Sequence, residues 1–520
     1  MIEGVLLAGS ALLGGALALL ARRREVLLEL TRTFAFTAAA SVVVFHLLPE
    51  VLPRLGPTAL LWIAGGFALP WLLEVGAHTL APDLLARRGI RGMRVAAEVG
   101  FLALLFHSLF EGLALLATSQ GRDARDIQIA ILAHHAPLTA AVALPFLDLL
   151  GVRAALLRVG LVAVAGALGV ALGNLVPGLA SGADAAVLQR ATAVVAGALL
   201  HVVADEIRDQ RFSSARGRVL DLLAAAAGLA LAGLGVVLEV RTSARIAAFA
   251  RTMVALALGV APALVASIAA EAAARRFRIP GLARAPFEGL FATGALLGWP
   301  SAAVRAGLAA LVSVAPRLVR SKTPEGPPAL LVVDLARRAP WLVVLLVVAA
   351  GVDALAPPGW FRAVGPAGLV LVCASLAASS RASASGAALL LCALVHRGFS
   401  VGLALPFLAL GVLPLRRAQA ARSVLLAVLL FPLALAAGAG LERLPFLRGS
   451  ASFAAAVLER AQLPLGAQLA SAPAATACTA LLVLLALALA LRSGVRGWFA
   501  PFRHADGHAS EAHGHEHATA

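Results

Sequence analysis

Four apolar stretches in the first half of this chain each carry a histidine and a carboxylate four residues apart. They are His46 and Glu50, Glu74 and His78, His107 and Glu111, and His201 and Asp205. On a helix that spacing sets both side chains on one face, one turn apart. Imidazole and carboxylate are the ligands that a borderline divalent metal such as zinc accepts. Ionisable groups within apolar spans are expensive, and they face a bundle interior or a water-filled cavity. The pairs therefore point to cation handling inside a membrane.

The richest stretch is 106–115, FHSLFEGLAL. His107, Ser108 and Glu111 project from one side of a helix there, and Gly112 permits a close neighbour. The next apolar run holds AHHAP at 133–137. His134 and His135 lie about 100° apart around that helix. Pro137 is expected to loosen the backbone ladder beside them. Two imidazoles next to freed carbonyls make an ion station at mid-membrane depth. His107, Glu111, His134 and His135 are thus the first candidates for metal ligands. The plain alternative for His107 and Glu111 is a structural ion pair within the membrane. Ser108, His46, Glu50, His201 and Asp205 are secondary or pathway positions. For His46 and Glu50, just ahead of Pro53, binding in a vestibule and ordinary interfacial solvation both remain open. His201 with Asp205, and Glu74 with His78, stand at span ends and read as interfacial.

The composition requires a membrane to hold these elements. Of 520 residues, 61% are hydrophobic and 13% charged, and the mean hydropathy is +0.93. A water-soluble fold could not cover that apolar surface. Apolar runs near the ~20 residues needed to cross a bilayer recur along the chain, about eight in 1–240 and six to eight beyond. The fold class is therefore all-α and multi-pass. The run 4–21 lacks a basic flank and a small-residue cleavage site, so it reads as a retained span. The formal net charge of +16 sits in short connections between apolar runs, which is the positive-inside pattern and not a nucleic-acid surface. Arginines crowd 22–32, 81–95, 151–158 and 208–218 and are sparse or balanced between them. The N-terminus is accordingly expected outside the cytoplasm. Cys373, Cys392 and Cys478 have no metal-type spacing and read as packing residues.

These motifs resemble the ZIP (Zrt/Irt-like) family of divalent metal transporters over roughly residues 1–240. HSLFEG at 107–112 is similar to that family's fourth-span motif, HLLPE at 46–50 to its second-span segment, and ALLHVVADE at 198–206 to its seventh-span ending. The resemblance implies an eight-span module with both termini outside that moves a divalent cation by alternating access. Three positions depart from the family pattern. Leu138 follows Pro137 where a ligand is usual, Ser108 stands where Asn is common, and 164–173 carries no acid. A two-metal site is therefore not expected, whereas one site of three or four ligands suffices for zinc.

Histidine distribution divides the chain. Of its 12 histidines, six lie in 1–240, five in 504–517, and only His396 in the long apolar region between. We expect a metal-transport module at 1–240, a linker at 241–251, a second membrane module at 252–495 and a His-rich disordered tail at 496–520. Residues 252–440 bear a looser resemblance to the two-repeat permease family related to organoarsenical efflux permeases. It rests on 260–279, LLGWP at 296–300 and HRGFSVGLALPFLALG at 396–411. Small-residue stretches around Arg305 and Arg381 form its repeated pair. They fit either an interrupted transport helix or close helix packing. Ser301, Ser380 and Gly386 depart from that family's Cys and Pro pattern. In the tail, His504, His508, His513, His515 and His517 with three acids form a degenerate chelating tract.

The expected function is divalent-metal transport, zinc first, with the metal as substrate. No organic cofactor, nucleic acid or covalent chemistry is implied, so the chain does not read as an enzyme. The expected partners are the ion and the lipid bilayer, and a homodimer is left open. The alternatives are a permease for another solute regulated by the first module, or a structural subunit with a vestigial metal site.

Overall fold

The computed structural model describes residues 2–21, 25–56, 58–80, 97–98, 100–102, 104–109, 112, 124–175, 183–206, 215–238, 240–277, 287–318, 331–410, 420–493, 495 and 498. Every regular element among them is helical. Runs of Ala, Leu, Val and Gly offer the backbone no competing side-chain partner. In an apolar medium the helix alone satisfies each N–H and C=O within one segment. Contacts divide the chain into two compact units, Met1–Ala247 with Ala490–Gly497, and Ala248–Leu489 with Trp498–Ala520.

The first unit begins with α1 (Ile2–Ala21) and α2 (Glu25–Val42). A π-helical turn at Val43–Leu47 leads into α3 (Leu48–Leu55). A proline at position 49 has no N–H to donate to the carbonyl four residues back, which favours a slip in register just ahead of it. His46 lies in this turn, so the simple α-helical relation to Glu50 does not hold there. α4 (Thr58–Leu80) follows, then α5 (Gly100–Leu109), with helical residues at 97–98 and 112. α6 (Ala124–Leu149) continues as helix through Pro137. Gly151, at φ 84°, ends it, a conformation that costs a side chain with Cβ. α7 (Val152–Leu175), α8 (Ala183–Glu206) and α9 (Ala215–Leu238) complete the unit.

Small residues let these helices cross closely. α1 packs on α6 and α7, α2 on α9, and α4 on α8. A Cβ at Gly14 would overlap the Ala136 carbonyl, one residue beyond His135. A Cβ at Gly112 would overlap the Gly166 carbonyl, and one at Gly169 the Leu109 carbonyl. These crossings fix α6 and α5 where the candidate ligands lie. Charged groups near helix ends are paired. Arg158 bonds Glu98 and lies 4.1 Å from the Phe146 ring centroid. Buried Asp221 accepts from the Thr33 hydroxyl at 2.6 Å and the Val495 N–H at 2.6 Å.

The second unit opens within α10 (Val240–Arg276). Next come α11 (Phe287–Leu297) and α12 (Trp299–Leu318), parted by Gly298 at φ 85°. α13 (Leu331–Leu355) is followed by a 3-10 turn at Trp360–Ala363. α14 (Pro366–Ala382) and α15 (Ala384–His396) are separated by one extended residue, Ser383. α16 (Val401–Leu410) and α17 (Ala420–Leu441) follow. The chain then turns by 89° between Leu430–Leu441 and Pro445–Gln462. The latter stretch contains α18 (Ser450–Glu459), and α19 (Leu465–Ser471) and α20 (Pro473–Ser493) close the unit. α15 is buried from Ser385 through Val395 and packs against α11, α13 and α14.

Among the described residues four helical stretches are long and apolar enough to cross a membrane: Val152–Gly173, Ala247–Ala274, Arg338–Leu355 and Pro473–Ser493. The bent pair makes a fifth if it is one span. On α20, Leu481, Val483 and Leu484 are more than half exposed, which suits side chains that meet lipid.

Candidate metal centre

α5 and α6 run antiparallel across a shared apolar face. Phe101 meets Phe146 edge to face at 6.2 Å, and Leu104 and Leu138 are buried in the same cluster. Ser108 lies one turn beyond Leu104, and His135 one turn before Leu138, so both step from the apolar contact toward the same level. The result is a bond between Ser108 Oγ and His135 Nε2 of 2.7 Å, with both residues fully buried. His107, beside Ser108, is 3% exposed, whereas Phe106 on the outer face is 50% exposed. α5 therefore turns its polar residues inward. The Thr139 hydroxyl donates to the His135 carbonyl at 2.9 Å.

The Ser108 bond decides what His135 can do. With Nε2–H donating to Ser108, Nδ1 carries the lone pair; with Ser108 donating, the proton of a neutral ring sits on Nδ1. A hydroxyl that orients an imidazole in this way fixes both its tautomer and its rotation. Ser108 is thus the polar neighbour that orients the His135 ring.

The other candidates fare unequally. Glu111 lies outside the described residues. His134 is on α6, one residue before His135, and its side chain is outside the described set. The same holds for the side chains of His46, Glu50, Glu74, His78 and Asp205, whose backbones are helical. His201, on α8, is half-buried and meets the Phe67 ring edge-on at 5.2 Å. The five tail histidines lie outside the described residues. Among the described residues no group of three or more His, Cys, Asp or Glu is gathered as a metal cage would require. Leu138 is 1% exposed and belongs to the apolar core. Cys373 and Cys392 are buried and Cys478 half-buried, all as free thiols.

Two polar centres in the second unit escaped the motif reading. Asp353, near the end of α13, accepts from His396 Nδ1 at 2.5 Å and from Arg397 Nε at 2.9 Å. Glu288, on α11, accepts from the Ser383 hydroxyl at 3.0 Å, the Ser385 N–H at 3.1 Å, the Ser385 hydroxyl, and Arg338 at 2.9 Å. Its carboxylate caps the start of α15, where unpaired N–H groups favour negative charge. The signal available in sequence was the lone acid in an apolar helix, which needs a partner wherever it is buried.

No family model, curated protein or solved structure matches this chain.

Proposed function

We propose that this chain is a multi-pass transporter of the cell's inner or plasma membrane, with its N-terminus outside the cytoplasm. Its first unit carries a divalent cation, zinc foremost, by alternating access. The observation that carries this reading is the buried bond between Ser108 and His135, with His107 buried beside it. It joins two motifs that the sequence singled out on separate helices. Neutral imidazoles keep lone pairs for a metal, and a hydroxyl second partner sets their direction. In this reading His107, Glu111, His134 and His135 are the ligands, and the metal exchanges them for water as the site turns from one side to the other. One carboxylate among several imidazoles gives weaker, more readily reversed binding than a two-metal site, which suits a cargo. The ZIP-like order of segments in 1–240 supports the same reading. The tail histidines add a capture tract that protonates and releases metal below about pH 6.

The test is zinc flux into proteoliposomes holding the full chain, set beside equilibrium zinc binding. Flux that Glu111→Ala abolishes supports transport through this site. Zinc binding with no flux supports the second reading, a metal-responsive regulator of a permease for another solute. That reading draws on Leu138, which fills a ligand position with core.

A further inference from the structure

The second unit holds a buried arginine that the proposed transport does not use. Arg305, on α12, is 6% exposed. Its Nη1 donates to Thr293 Oγ1 at 2.6 Å, the Gly289 carbonyl at 3.2 Å and the Ala384 carbonyl at 3.2 Å. Its Nη2 donates to Ser380 Oγ at 3.2 Å and again to the Ala384 carbonyl at 3.2 Å. Every one of these partners is a neutral oxygen. The nearby carboxylate of Glu288 is engaged with Ser383, Ser385 and Arg338.

Three features show that these oxygens are arranged to receive a cation. First, both hydroxyl protons are committed elsewhere: Thr293 donates to the Gly289 carbonyl at 2.6 Å, and Ser380 to the Leu408 carbonyl at 2.7 Å. Toward Arg305 both hydroxyls can then act only as acceptors. Second, position 289 has no side chain, and a Cβ there would stand 3.0 Å from Nη2 and 3.1 Å from Cζ. Third, Ala384 and Ser380 flank the interruption at Ser383, which brings a carbonyl and a hydroxyl from the two sides of one helix break to the same point. Carbonyl and hydroxyl oxygens at interrupted helices are how membrane proteins replace the hydration shell of a cation. A guanidinium, planar and permanently charged, meets such a ring with several donors at once.

We propose that Gly289, Thr293, Ser380 and Ala384 form a binding cage for a monovalent cation, and that Arg305 is its tethered occupant. The cage holds its cation within the chain and closes the helix break of the second unit. Arg381, its counterpart in the sequence repeat, is exposed.

The experiment is chemical rescue, using the purified full chain in detergent. Arg305→Ala is expected to melt several degrees below the native chain and to recover in a saturable way with millimolar guanidinium or sodium ions. The native chain should show no such gain, and adding Thr293→Val and Ser380→Ala to Arg305→Ala should abolish it. The ion that rescues identifies which cation the cage prefers. Folded Arg305→Ala, judged by gel filtration and circular dichroism, that gains nothing from either ion overturns the proposal. Should Arg305→Ala not survive purification, Thr293→Val with Ser380→Ala in the otherwise native chain gives the second arm. A lowered melting temperature is then expected, and an unchanged one overturns the proposal.

Discussion

The polar centres of the two units meet the problem of polar groups in an apolar interior in different ways. In the first unit the candidate site pairs an imidazole with a hydroxyl, His135 bonded to Ser108 with His107 buried beside it, apart from the charged groups Asp221, Arg158 and Glu98. The second gathers permanent charges and satisfies them from within: Glu288 against Arg338 and the start of α15, Asp353 between His396 and Arg397, and Arg305 in its ring of oxygens. An imidazole costs little to bury while neutral and retains a lone pair for a guest. A guanidinium or carboxylate is costly to bury and must be answered at once by fixed partners. The first centre has the chemistry of the ion exchange we propose, and the second that of fixed structural pairs.

The sharpest way to break this comparison is to remove a charge from the second unit. Glu288→Ala removes the acceptor of the Ser385 N–H and one of the carboxylates beside Arg338, another being Glu271 at 3.7 Å, and a loss of about 3 kcal/mol is expected. Thermal unfolding of the full chain in detergent measures it. A melting temperature like that of the native chain would mean that the charges are not interlocked. Next in size is Gly14→Val, which drives a side chain into the Ala136 carbonyl. Overpacking of this kind costs about 1–3 kcal/mol, and because the clash adjoins His135, zinc affinity should fall with stability. Calorimetry of zinc binding set beside melting separates this from a purely structural effect, in which affinity would hold.

Ser108→Ala sharpens the first half of the comparison. It removes the partner that orients His135 while leaving every proposed ligand in place. Loss of such an outer partner lowers metal affinity about 10–100-fold, with the melting temperature little changed. The smallest effect is expected from deleting residues 504–520. The number of zinc ions bound at pH 7 should fall, while flux is retained. Below about pH 6 the difference in bound zinc should vanish, because the tail imidazoles are then protonated in the full chain too.

Much of this arrangement was legible in sequence, and the exceptions share a cause. Apolar runs with few breakers specify helices whatever they pack against, so the helical class could be read directly. The link between α5 and α6 was legible because HSLFEG and AHHAP each place polar residues on an apolar helix, where they need one another. The π turn at Val43–Leu47 was not read, although Pro49 was in plain view. How a helix absorbs a proline depends on its neighbours, and Pro137 leaves α6 unbroken. Arg305 stood out as a charge among small residues, but its cage needs the Ala384 carbonyl 79 positions away. Asp353 and His396 are 43 positions apart on different helices, so a search for pairs four residues apart passes over them. Local spacing finds partners within one helix, whereas the partners of Glu288, Asp353 and Ser380 described above are tertiary.

The most direct test sets two double variants side by side in zinc uptake by proteoliposomes, His107→Ala with His135→Ala, and Thr293→Val with Ser380→Ala. The first should abolish uptake while the protein stays folded, and the second should lower stability yet leave uptake per folded protein unchanged. Uptake that survives loss of both histidines, or disappears with the two hydroxyls of the second unit while the protein remains folded, would contradict the division of labour described above.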